Sequence, residues 1–142
     1  DMLMASMMGA IAFQKDLGAV HSCAHALSTV ADLHHGLANG IMLDHVLLFN
    51  APVAIGKMAE MARVARVPGV HGAGDEAASA AFIVWIAQLK KLLGVPARLG
   101  EVGINATHID ALVEVAINDI CHQTNPRSCT REDFARIFVE AI

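Results

Sequence analysis

A chain of 142 residues fits one domain and can bury roughly two-thirds of the surface its unfolded form exposes; at 55% apolar and 17% charged it exceeds the apolar share of an ordinary soluble domain, so further chain, or other copies in a homo-oligomer, is expected to cover part of it. A net charge of −4, with ten basic residues scattered along the chain, excludes the basic stripe that phosphate-backbone binding requires, and with it nucleic acid as the expected partner. The longest uncharged runs, Leu17 to Ala31 and Ala77 to Leu89, fall short of the ~20 residues of a spanning helix, so a membrane is not an expected partner either.

The three cysteines, Cys23, Cys121 and Cys129, show no C-x-x-C spacing and read as reduced thiols of a cytoplasmic protein. The sequence opens at Asp1 inside what reads as a helix, without a basic leader, and is expected to be a fragment of a longer chain. Apolar residues recur at three- and four-residue spacing, and no stretch alternates long enough for a half-buried strand. The expected fold class is therefore all-α, a bundle of about six to seven helices.

A first helix is predicted from about Met2 to Lys15, and a second, after a break at Gly18, from about Ala19 to Val30. His35 and Gly36 open a third, which runs to about Phe49 and ends near Asn50 and Pro52, because proline starts helices but does not continue them. A fourth follows to about Ala65. Pro68, Gly69, Gly72 and Gly74 make a loop, after which Asp75 and Glu76 begin a fifth helix that lasts to about Leu93. Its stripe of Phe82, Trp85, Ile86, Leu89 and Leu93 reads as an ordinary core face. Thr107 and Asp110 form an acidic capping box for a sixth helix ending near Cys121, and Thr130 caps the last, with Glu132 and Asp133 in its first turn.

Five of the eight histidines, His21, His25, His34, His35 and His45, fall in one quarter of the chain, and no lysine or arginine lies between Lys15 and Lys57. Neutral imidazoles without competing positive charge suit a divalent cation. His21 and His25 are one helical turn apart and share a face, with Cys23 turned away from it. Continuing that face reaches Ser28 and Asp32, so periodicity alone nominates His21, His25 and Asp32 as metal ligands.

The segment G-A-V-H-S-C-A-H-A-L from Gly18 to Leu27, then H-G-L-A-N-G-I-M-L from His35 to Leu43 and V-L-L-F-N from Val46 to Asn50, resembles the signature of iron-containing alcohol dehydrogenases. The M-A-S-M-M-G from Met4 and the N-D-I-C-H-Q-T-N-P-R from Asn118 extend the resemblance over essentially the whole chain. It implies that the chain is the C-terminal part of that family's helical metal-binding domain, without its nucleotide-binding domain. It assigns His21 and His35 to the metal, Fe2+ or alternatively Zn2+, and puts His25, as catalytic and cofactor-contacting residue, beside the nicotinamide of NAD or NADP. An aspartate and a further histidine, supplied upstream in the family, would complete the metal. Ser28, His34 and Asp44 depart from the common pattern, where a glycine, a proline and a proline usually stand, and Ser28 and His34 bear on substrate identity. His45, His71, His108 and His122 are expected to be packed or solvated.

The implied activity is hydride transfer between a nicotinamide and a small alcohol or aldehyde, with the metal favouring alkoxide and His25 orienting nicotinamide or relaying the proton. No G-x-G-x-x-G at a strand-to-helix turn is present to hold the cofactor's phosphates. Taken alone, the chain is expected to be inactive and to bind metal weakly, since two imidazoles leave most positions to water. The competing readings are a noncatalytic helical domain that associates through apolar surface, and a sister branch of glycerol-dehydrogenase-like or maleylacetate-reductase-like enzymes, against which H-G-L-A-N-G argues.

Overall fold

The computed structural model describes residues 1–142. It is all-helical: α1 (Met2–Phe13), α2 (Ala19–Ala31), α3 (His35–Val64), α4 (Asp75–Leu92), α5 (Ile109–Asn118) and α6 (Arg131–Ala141), joined by loops that carry three short 3-10 turns. Two cores result. The larger packs α2 against the first half of α3, α5 and α6, with Leu27, Ile41, Met42, Leu112, Phe134 and Phe138 fully buried. The smaller lies between the second half of α3 and α4 around Met58, Ala62, Ala78 and Phe82.

The predicted break between a third and a fourth helix is present as a kink inside α3, whose non-helical residue is Ala54 (φ −124°, ψ 15°), two residues past Pro52; two other expectations about the elements are corrected. Proline removes one amide donor and crowds the turn before it, yet the flanking turns are each packed, so the helix bends at this point rather than stopping. By length and composition α3 is then long and apolar enough to cross a membrane, which the uncharged runs had not suggested, though much of it is buried in both cores.

The stripe on α4 holds for Phe82 but not for Leu93, which is exposed. The buried residue at that end is Lys90, whose ammonium donates to the Ile41 carbonyl at 2.7 Å and to Asp44. Thr107 does not cap α5. Asn105 accepts from the Thr107 amide at 3.0 Å, the Asn105 amide donates back to His108 Nδ1 at 3.2 Å, and α5 begins at Ile109 after a 3-10 turn. The cap at Thr130 is as the sequence predicts, exchanging bonds with Asp133 at 3.0 and 3.2 Å.

α2 carries His21 and His25, and its start is fixed by distant chain. Gly18 supplies no side-chain cap, so Asn125 reaches in from the loop before α6, its Oδ1 accepting from the Ala19 amide at 3.2 Å. A Cβ at Gly18 would stand 3.0 Å from that oxygen, which is why the closest approach falls on a glycine. Asn125 is itself gripped by Asn50 of α3 through two amide–amide bonds of 2.7 and 3.1 Å. At the other end Asp32 adopts the left-handed conformation (φ 51°), and the Asp32 and Leu33 amides bond the Ser28 and Leu27 carbonyls, which closes the helix.

Candidate metal centre

The short connection from α2 to α3 brings His35, the first residue of α3, over the face on which His21 and His25 stand one turn apart. The ring centroids of His21 and His35 are 5.3 Å apart, those of His25 and His35 are stacked at 5.1 Å, and those of His21 and His25 are 6.0 Å apart. One ring nitrogen from each lies within 4.8 Å of the other two. His21 and His25 are partly buried and His35 exposed, so the cluster opens to one side.

His21 Nδ1 is buried and has no hydrogen-bond partner. Burial lowers the His21 pKa below 6.5, the neighbouring His35 and His25 lower it further, and Asp119 opposes them. The ring is therefore held neutral, the form that ligates metal. Asn39, one turn along α3, donates Nδ2 to the His35 carbonyl at 3.0 Å and to His35 Nε2 at 3.1 Å, orienting that ring. Its own Oδ1 is buried without a partner.

His25 is oriented by a residue to which the sequence reading gave no role. Its Nδ1 donates to Asp119 Oδ2 at 2.7 Å, and Asp119 Oδ1 accepts from the Ser22 hydroxyl and the Cys121 amide, each at 2.8 Å. Ser22 stands three residues before His25 on α2, while Asp119 caps the 3-10 turn Ile120–Thr124 that packs against that helix. In the neutral ring with its proton at Nδ1, Nε2 is the acceptor. Burial and the adjacent Asp119 push the Cys121 thiol up to about 11.

Asp32 does not join the cluster: it terminates α2 in the left-handed conformation and is exposed. Ser28 Oγ donates to the Leu33 carbonyl at 2.9 Å, and His34 accepts from the Leu37 amide at the start of α3. Both shape the α2–α3 connection, and neither is among the clustered groups. The remaining histidines are packed or solvated. His45 Nε2 meets the Ala97 carbonyl, His108 takes part in a cap, His122 stands edge-on to Phe134, and His71 is exposed. Phe13 at the end of α1 meets His21 edge-on at 6.3 Å, beside a cleft of about 530 Å³ that Leu17, Asn39 and Leu43 also line. An apolar groove of about 420 Å³ between Pro52 on α3 and Ile83 on α4 shares no lining residue with the histidines.

Three imidazoles with ring nitrogens within 4.8 Å of one another, one ring carrying a buried, unpartnered nitrogen, and no lysine or arginine among them, fit a divalent cation of the Fe2+ or Zn2+ kind. To take part, His35 must either give up the Asn39 contact at Nε2 or bind through Nδ1.

The sequence profile of the Fe-containing alcohol dehydrogenase family, C-terminal, matches residues 1–142. The chain is 32% identical to the 4-hydroxybutyrate dehydrogenase of Cupriavidus necator, covering 100% of this chain and 37% of that protein. With the NAD-dependent methanol dehydrogenase of Bacillus methanolicus it shares 35% identity over 99% of this chain and 37% of that one. The alcohol dehydrogenase from Oenococcus oeni has the same fold with a TM-score of 0.91 at 30% identity, over 97% of this chain and 36% of its own. The chain thus spans little more than a third of the length of these relatives.

Proposed function

Because the chain belongs to the Fe-containing alcohol dehydrogenase family, as its C-terminal part, we propose that it is the metal-binding half of a dehydrogenase that moves hydride between NAD or NADP and a small alcohol or aldehyde. One observation carries this reading: His21, His25 and His35 each bring a ring nitrogen within 4.8 Å of the other two, and His21 Nδ1 is buried with no hydrogen-bond partner in the chain. A noncatalytic helical module gives no reason for that convergence.

In this reading a bound divalent ion supplies polarisation of the substrate oxygen, and the nicotinamide supplies or accepts the hydride. His21 and His35 hold the ion, and sequence outside residues 1–142 provides the other ligands together with the nucleotide-binding domain. His25 lies toward nicotinamide and substrate. Asp119 accepts from His25 Nδ1, which would leave Nε2 of the neutral ring free to take a proton, and Ser22 with the Cys121 amide keeps the carboxylate from turning away. Asn125 and Asn50 hold the start of α2, and hence the register of His21, from the opposite side.

The test is NAD(P)H oxidation with small aldehydes by the longer protein that carries this chain. Activity should vanish on chelation and return with ferrous or zinc ions, while residues 1–142 alone should be inactive. A longer protein inert with both metals contradicts the reading.

A further inference from the structure

We infer that Asp16, in the loop between α1 and α2, reads the far end of the substrate. It favours small aldehydes and alcohols that carry a second hydrogen-bond donor, a hydroxyl or an ammonium, over those that carry a carboxylate. The inference rests on the dehydrogenase reading above and adds to it a class of substrate. Ser28 and His34, which the sequence nominates for that role, line neither of the two clefts that meet at Phe13.

Those two clefts share Phe13, Asp16 and Leu17. The larger, about 530 Å³, reaches His21. The smaller, about 310 Å³, is lined by the end of α1, the loop and the turn Ile120–Thr124. Phe13, Leu17 and Ile120 give the smaller cleft apolar walls, and Cys121 ties it to the histidines, with Sγ 4.0 Å from His25 Nδ1. Its other lining residues are polar: Asp16, Gln123 and Thr124. A cavity at the small end of the range for ligand pockets, apolar with a few polar groups, matches a short carbon chain with one further polar group.

Asp16 is fixed in place for this part. Its φ of 72° lies in the left-handed region, which few residues other than glycine adopt and aspartate tolerates. The following residues are pinned from across the fold, since the Thr124 hydroxyl donates to the Leu17 carbonyl at 2.6 Å and Asn125 Oδ1 accepts from the Ala19 amide at 3.2 Å. With the Thr124 proton so engaged, Asp16 and Gln123 are the polar groups left to meet a ligand. Asp16 forms none of the chain's ion pairs, and no lysine, arginine or histidine lines the smaller cleft. A carboxylate without a cation beside it accepts from O–H or N–H and repels a second carboxylate.

The experiment compares kcat/KM for NAD(P)H oxidation by the longer protein with propanal, 3-hydroxypropanal, 3-aminopropanal and succinic semialdehyde, in the parent and in Asp16→Gly and Asp16→Asn. Glycine removes the carboxylate at a backbone position that suits it, and ratios between substrates cancel a general loss of activity. The parent should prefer a donor-bearing aldehyde to propanal by about tenfold, as a hydrogen bond to a charged group provides, and should disfavour succinic semialdehyde. In Asp16→Gly that preference should fall to about twofold or less, through KM rather than kcat, while succinic semialdehyde gains on propanal. Asp16→Asn should keep part of a preference for the hydroxyl and lose one for the ammonium, which tells the two donors apart. A parent that treats propanal and both donor-bearing aldehydes alike, or prefers succinic semialdehyde, overturns the inference and leaves the dehydrogenase reading standing. A preference that survives intact in Asp16→Gly does the same. A longer protein inert toward all four aldehydes with ferrous and zinc ions contradicts the dehydrogenase reading, and the inference falls with it.

Discussion

At Asp119 burial pushes the carboxyl upward, but hydrogen bonds from His25, Ser22 and the Cys121 amide outweigh it and bring the group from the ordinary 3.8 to about 2. A folded value below the unfolded one means that the carboxylate's contribution is fully present above the ordinary value and is lost as the pH falls through it toward the folded one. Chemical denaturation of the chain at a series of pH values should show stability dropping between about pH 4 and pH 2, and Asp119→Asn should flatten that part of the profile. An unchanged slope in the variant would show that other carboxylates dominate the acid limb. Asp119 was hard to read from the sequence because its partner His25 lies 94 residues away, a separation that no periodicity spans, although it sits inside the N-D-I-C motif. Asp32 failed in the opposite way. It keeps helical spacing with His21 and His25, but spacing does not reveal that the helix ends there in a left-handed turn.

The helices themselves were largely legible, because three- and four-residue apolar spacing and end signals such as Thr130 are local. What the sequence hid is how the elements are tied to one another. The Asn50–Asn125 pair joins α3 to the loop before α6 and caps α2 through Ala19. Asn125→Ala leaves a helix start and a partly buried amide unpartnered, and should cost about 2–4 kcal/mol in chemical denaturation. At the far end of α4, helical periodicity favoured Leu93 as core, while the structure buries Lys90 against Asp44 and the Ile41 carbonyl. Lys90→Met should destabilise by about 3 kcal/mol, because it strands a carboxylate whose side chain is only 17% exposed. The double variant Asp44→Leu with Lys90→Met should recover to within about 1 kcal/mol of the parent, since an apolar pair of similar volume replaces a desolvated ion pair at little cost. A double variant no more stable than the single one would contradict this. The interruption of α3 was legible, since Pro52 is a local break signal and the non-helical residue Ala54 follows it by two positions.

On the scale of the molecule, the apolar surplus in the composition has a location. α1 is apolar around its whole circumference and buries no residue, with Met2 83% and Leu3 89% exposed. A helix of that kind is ordinarily covered by other protein, in keeping with a chain that spans little more than a third of its relatives' length. Removing residues 1–14 should leave the unfolding free energy of the remainder within about 1 kcal/mol, since almost no packing is lost, and should reduce self-association in sedimentation. A large loss of stability would show that α1 docks on the fold after all. The histidine site lies beside this helix, where Phe13 meets His21, so the surface awaiting cover and the candidate metal centre belong to one side of the structure. Metal titration of NAD(P)H oxidation in the longer protein, with and without His21→Ala and His35→Ala, tests most directly the proposal that His21 and His35 hold the metal of a nicotinamide-dependent dehydrogenase. Activity that rises with ferrous or zinc ion in the parent and stays absent in both variants is the expected result, whereas variants that regain parental activity at the same metal concentration would contradict it.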